Sequence, residues 1–203
     1  MRILAAVLCI LGLSGPAVAG DPPTPFQEVQ MVQSALAILG YEPGPLDGEW
    51  GNATQSALEA FAADTGYDGP TGAADGAVID ALFARLGPAL EAGFGTDPTG
   101  TWDLDFSAYS EAERRDMMAL YGWEVMETCS SPLAIYFSGI AYRQWVSGAP
   151  LVMTLKDRRL EALHPDPGDG FLEPFAFSFV DESTMHREVE GDTEIWLRCD
   201  GPQ

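Results

Sequence analysis

The run Leu39–Leu58, LGYEPGPLDGEWGNATQSAL, decides how the first part of this chain folds. Gly40 ends an apolar-periodic run and precedes Tyr41, the pattern of a left-handed glycine that closes a helix. Pro43, Gly44, Pro45, Gly48 and Gly51 then fall within nine positions, too dense a set of breakers for a helix or a central strand. Asp47-Gly48 is a turn signature in which the Asp47 carboxylate caps nearby backbone N–H groups. Asn52, with Gln55 three residues on, has capping-box spacing for a new helix. The stretch therefore reads as helix, tight loop, helix.

Working outward, Thr24 is placed to N-cap the first helix, with Pro25 at its first position and Gln27 completing the box. Val29, Val32, Leu36 and Leu39 recur at spacings of three and four, with Ala35 beside them. The second helix runs from Asn52 to about Thr65, with Leu58, Phe61 and Ala62 inward and Gly66 as its stop. A third stripe, Val78, Ile79, Leu82, Phe83 and Leu86, is closed by Gly87-Pro88. Three such stripes can bury one another in roughly 60 residues, a small but complete domain.

These residues resemble the peptidoglycan-binding module of bacterial cell-wall proteins, a small three-helix domain. The likeness covers roughly residues 26–87. It is carried by Val29, Val32, Gln33 and Leu36, then by Leu39-Gly40-Tyr41, Gly44-Pro45-Leu46-Asp47-Gly48, Trp50-Gly51, Thr54, Ala57-Leu58 and Phe61. Gly72 and the Val78/Leu82 helix follow where the family places its third helix. Ala62 departs from the family, which usually has Gln after the Phe. The resemblance implies peptidoglycan as partner, through either its glycan strand or its stem peptide. Candidate ligand contacts are Tyr41, Trp50 and Tyr67, whose rings suit the C–H faces of a saccharide, and Asp47. Each has a structural alternative: packing over a small core for the aromatics, and turn capping for Asp47.

The amino terminus reads as a secretory signal. Arg2 gives a positive n-region, Ile3 to Leu13 an apolar h-region, and Ala17-Val18-Ala19 a small-x-small site before Gly20. An apolar run of about 11 residues is too short for a membrane-spanning helix, which needs roughly 20. The expectation is a periplasmic or secreted protein, cleaved near Ala19/Gly20, with no stable membrane anchor. Cys9 follows Leu8 and so fails as a lipoprotein cysteine. Cleavage leaves Cys129 and Cys199, an even count that predicts one disulfide in an exported chain.

Ten Lys and Arg against 31 Asp and Glu give a formal charge of −21. Such a charge repels phosphate backbones, so nucleic acid is excluded as a partner. Peptidoglycan carries carboxylates too, so its binding has to come from hydrogen bonds and stacking rather than long-range attraction.

Residues 88–109, rich in Gly and Pro, read as a linker. Ser110 with Glu113 is another capping box, opening a helix that Gly122 ends, with Met117, Leu120 and Tyr121 on its apolar face. From Trp123 the period changes to 2. Strands are expected near 123–126, 133–137, 141–146, 151–156, 159–163, 175–180, 185–190 and 194–199. Short strands with tight turns favour an antiparallel meander, and closing the sheet removes its edges. The predicted class is α+β multi-domain: a signal over 1–19, a three-helix bundle over 26–87, and over 110–203 a short helix with a small antiparallel, barrel-like β-domain. The expected bridge ties the end of the first strand to the last.

Catalytic signatures are absent from the sequence. His164 and His186 lack the spacing of a zinc hydrolase, and neither a G-x-S-x-G elbow nor a transpeptidase-type cysteine run occurs. Glu124, Glu127, Glu173 and Glu188 are nominal carboxylates for glycoside cleavage, with no distinguishing spacing. No cofactor or metal is implied. The leading expectation is a non-catalytic peptidoglycan binder whose β-domain has another role. The alternatives are a cell-wall hydrolase with a carboxylate pair in the β-domain, or a barrel that binds a small ligand or inhibits a protein.

Overall fold

The computed structural model describes residues 23–95, 98–121, 127–129, 135–138, 140–144, 151–156, 159–163, 175–189 and 191–199. The expected signal peptide and the strand expected at 123–126 lie outside them. The protein is α+β: helices come first, followed by an antiparallel sheet that curls on itself. Helices α1 (Pro25–Ile38), α2 (Asn52–Thr65) and α3 (Gly76–Phe94) precede strand β1 (Gly100–Leu104), a 3-10 turn (Phe106–Ala108) and α4 (Glu111–Tyr121). Strands β2 (Ile135–Ser138), β3 (Ala141–Gln144), β4 (Leu151–Lys156), β5 (Arg159–Ala162), β6 (Phe175–Phe179), β7 (Thr184–Val189) and β8 (Asp192–Arg198) follow. Each pairs antiparallel with the next, and β1 pairs with both β2 and β8, so the strands form a closed barrel.

The ends of α1 form as the residue types dictate. Thr24 accepts the Gln27 N–H at 3.3 Å while the Gln27 side chain accepts the Thr24 N–H at 2.8 Å, a complete capping box. At the other end Gly40 has φ 90°. Its N–H donates to the Ala37 carbonyl at 3.1 Å and the Tyr41 N–H to the Leu36 carbonyl at 2.9 Å, a Schellman closure. The α4 box is also present, with Ser110 N–H to Glu113 at 2.7 Å and Glu113 N–H to Ser110 at 3.3 Å. The start of α2 differs from expectation. Its N-cap is Gly51, with no side-chain cap, and Asn52 lies inside the helix. Gln55 turns instead to Trp50 and Glu59, at 3.2 and 2.7 Å.

Two differences concern the stretch read as a linker. Helix α3 does not stop at Gly87-Pro88 but carries Pro88 internally to Phe94. The hydrogen bond that proline forfeits is offset by Leu90, which the extra turns bury as completely as Leu86. Strand β1 also lies within 88–109, where Trp102 and Leu104 alternate with Thr101 and Asp103.

Helix α1 is buried around most of its circumference, with every residue from Gln30 to Leu36 inaccessible. Val32, Ala35 and Leu36 face the helical core with Leu58, Phe61, Val78, Leu82 and Leu86. Met31 packs with Val152 of β4 beside Ile79, Phe83 and Leu163. The Ser34 hydroxyl donates to the Met153 carbonyl at 2.5 Å. At Gly93 of α3 a Cβ would lie 2.9 Å from Leu155. Helices and barrel thus share one seam, apolar at Met31 and Val152 and hydrogen-bonded at Ser34.

Register places Met153, Leu160, Phe177, Met185, Trp196, Trp102 and Leu104 on one face of the sheet, and all are buried. Trp102 meets Phe179 edge-on at 5.5 Å between strands that are not neighbours, so this face is the interior. Large side chains line it, together with Arg187, Glu194 and Arg198, which the same register places on this face. Cys129, in the turn region beyond α4, is bonded to Cys199 just after β8 across a separation of 70 residues. Replacing both cysteines by serine is expected to cost roughly 4 kcal/mol at most, checked by urea unfolding. A loss under about 0.5 kcal/mol would mean that the cross-link restrains little in the unfolded chain.

Candidate functional site

The loop between α1 and α2 is organised by Gln33, a buried side chain on α1. Its Oε1 accepts the Gly48 N–H at 2.9 Å. Its Nε2 donates to Asp47 Oδ1 at 3.1 Å and the Glu49 carbonyl at 3.0 Å, with Thr54 Oγ1 at 3.4 Å. Thr54, the first buried residue of α2, donates its hydroxyl to the Pro43 carbonyl at 3.0 Å. One amide and one hydroxyl therefore clamp both strands of the loop to the helices on either side. Gly48 is required at its position: φ is 73°, and a Cβ would lie 2.5 Å from the Phe26 ring. Gly48→Ala is expected to lose about 2 kcal/mol, since both the backbone and the ring must shift. Thermal unfolding reads this, and an unchanged midpoint would contradict it.

Asp47 is exposed, but its Oδ1 also accepts the Glu49 N–H at 3.0 Å. That backbone bond, then the Gln33 amide, hold its carboxyl below the ordinary carboxylate range. A depressed pKa stabilises the fold above the pKa of the unfolded chain, and the contribution is lost as pH falls through the lowered value. The loop is therefore expected to loosen only in acid below the usual aspartate range, followed by the exchange of the Gly48 and Glu49 amides. Faster exchange already at pH 5 to 6 would contradict it.

The other candidates divide by location. Trp50 is half-buried against the core and donates its indole N–H to Gln55. Tyr41 and Tyr67 each pack on the buried Phe61, with ring centroids 5.9 and 6.0 Å from it. The Tyr41 hydroxyl bonds Asp64 at 3.3 Å, and Tyr67 reaches the Pro70 carbonyl at 3.4 Å. Burial, then the neighbouring carboxylates, push both phenols up: Asp64 beside Tyr41, and Asp75 and Asp68 beside Tyr67. The structure thus brings Tyr41 and Tyr67 to one patch, while Asp47 and Trp50 are held in the loop by their own partners.

Residues 27–82 match the family model of the putative peptidoglycan binding domain. The matched residues span α1, the clamped loop, α2 and the first part of α3, the same elements that build the patch. No curated protein and no solved structure matches the chain. Within the peptidoglycan-binding domain, Gln33 and Thr54 belong to the sequence likeness, but their clamping role has no local signal. It depends on a loop that only tertiary packing brings beneath α1.

Three of the carboxy-terminal candidates lie among the described residues. Glu188 is ion-paired with Arg159 at 2.7 Å, and Glu127 is exposed beyond α4. His186 lies on β7. Glu124, Glu173 and His164 lie outside the described residues. Among the described residues no three His, Cys, Asp or Glu side chains come together as metal ligands, and no helix is long and apolar enough to cross a membrane.

Proposed function

We propose that this is an exported, non-catalytic protein that docks on peptidoglycan through its amino-terminal helical domain and holds its barrel against the wall. The observation that carries this reading is the family match over residues 27–82, joined to a loop whose geometry Gln33 fixes. The signal-like amino terminus supports export to the periplasm or the exterior. Rigid docking through the α1–β4 seam supports a barrel presented at one orientation, available to a further partner.

Co-sedimentation of the mature chain with purified sacculi tests the reading. The expected result is protein in the pellet and no soluble muropeptide released between pH 4 and 8. Protein remaining in the supernatant would refute the docking role, and muropeptide release lost in a Glu188→Gln variant would refute the non-catalytic one.

A further inference from the structure

The peptidoglycan-binding domain has one covered side and one open side. The barrel occupies the covered side, through Met31 on Val152, Ser34 on the Met153 carbonyl and Gly93 on Leu155. A polymer strand has no access there. The open side carries Tyr41 and Tyr67, both half-buried and leaning on Phe61, with the exposed Asp64 bonded to the Tyr41 hydroxyl. Asp68 and Asp75 add negative field at Tyr67, and Arg85 of α3 adds a weaker positive field at Tyr41. Asp75 is engaged as the α3 cap through the Val78 N–H at 2.9 Å, which leaves Asp64 as the carboxylate bonded to a ring of the patch.

Resting on the peptidoglycan reading above, we propose that this open aromatic face takes a primary ammonium group of the wall polymer, carried by the uncrosslinked diamino acid of a stem peptide. The polymer offers three kinds of group: neutral N-acetylated sugars, carboxylates and free amines. Carboxylates are repelled by Asp64 and by a chain of charge −21. Sugars gain ring contact but leave the Asp64 carboxylate without a cation. An ammonium gains both the tyrosine faces and a charge-assisted hydrogen bond to Asp64. The contact that overcomes the chain's repulsion from an anionic polymer is then a local cation rather than a general attraction.

The test uses the mature full chain and purified sacculi whose stem peptides contain a diamino acid, before and after acetylation of their amines. Apparent affinity is expected to fall about tenfold on acetylation, the scale of a charge-assisted contact. Asp64→Asn is expected to lose a similar factor on untreated sacculi and nothing further on acetylated ones. Equal binding of the unaltered protein to both preparations would overturn the amine assignment while leaving peptidoglycan binding intact. Failure to bind untreated sacculi would overturn both. An Asp64→Asn variant that keeps the whole acetylation effect would overturn the role given to that carboxylate.

Discussion

Gln33→Leu is expected to release the corner between α1 and α2 and to remove about 2 to 4 kcal/mol of stability. The side chain is buried. Leucine leaves the buried Gly48 N–H without its acceptor and removes the amide donor from the Glu49 carbonyl and the Thr54 hydroxyl, while the exposed Asp47 keeps its bond from the Glu49 N–H. Each buried polar group deprived of a partner costs about 1 to 3 kcal/mol, against a total of about 5 to 15 for a typical domain. Affinity for sacculi should fall with it, because Tyr41 enters the patch directly from this loop. Gln33→Glu is a sharper variant: it keeps the volume and the acceptor for Gly48 but sets a second carboxylate against Asp47. Urea unfolding with sacculus binding reads both variants. A loss below about 1 kcal/mol would mean that the loop is held by other contacts.

Met31→Asp is expected to have an effect of similar size by a different route. Met31 is 4% exposed and Val152 is 2% exposed, and each covers the other across the seam. A carboxylate there is either buried without a partner or forces the seam apart, at about 3 to 5 kcal/mol. The unaltered protein, whose buried cluster runs from Val32 to Trp196, is expected to unfold in one transition. The variant is expected to show two, with helices and barrel melting separately. A single transition shifted by less than about 1 kcal/mol would contradict the seam.

Local chemistry was legible in the sequence where it is local in space. The Thr24 and Ser110 boxes, Gly40 and Gly66 sit where residue type alone places them, and the pairing of Cys129 with Cys199 followed from counting. The period-2 runs placed β4 to β8 within about two residues of their observed ends. Three features were not legible. Leu90 to Phe94 looked unhelical because Pro88 intervenes, and only the barrel explains why α3 continues. Strand β1 is five residues long and opens with Gly100, so its Trp102/Leu104 alternation was lost among turn residues. At α1, the stripe Val29, Val32, Leu36 and Leu39 describes one side, on which Val32 and Leu36 are buried, Leu39 packs partly buried against the core and Val29 is only partly covered. The second side runs through Met31 and Ser34, and a serine gives no sign that it will bond a strand carbonyl. Among the site candidates, Tyr41 and Tyr67 pack on Phe61, whereas Asp47 is bonded within the turn.

The most direct measurement is amide and aromatic NMR shift mapping of the mature protein titrated with a soluble, uncrosslinked muropeptide. If the helical domain reads the wall polymer on its open side, the shifts concentrate at Tyr41, Asp64 and Tyr67, with Ser34 and the barrel strands unmoved. Shifts confined to the barrel, with that patch silent at saturating ligand, would contradict the account.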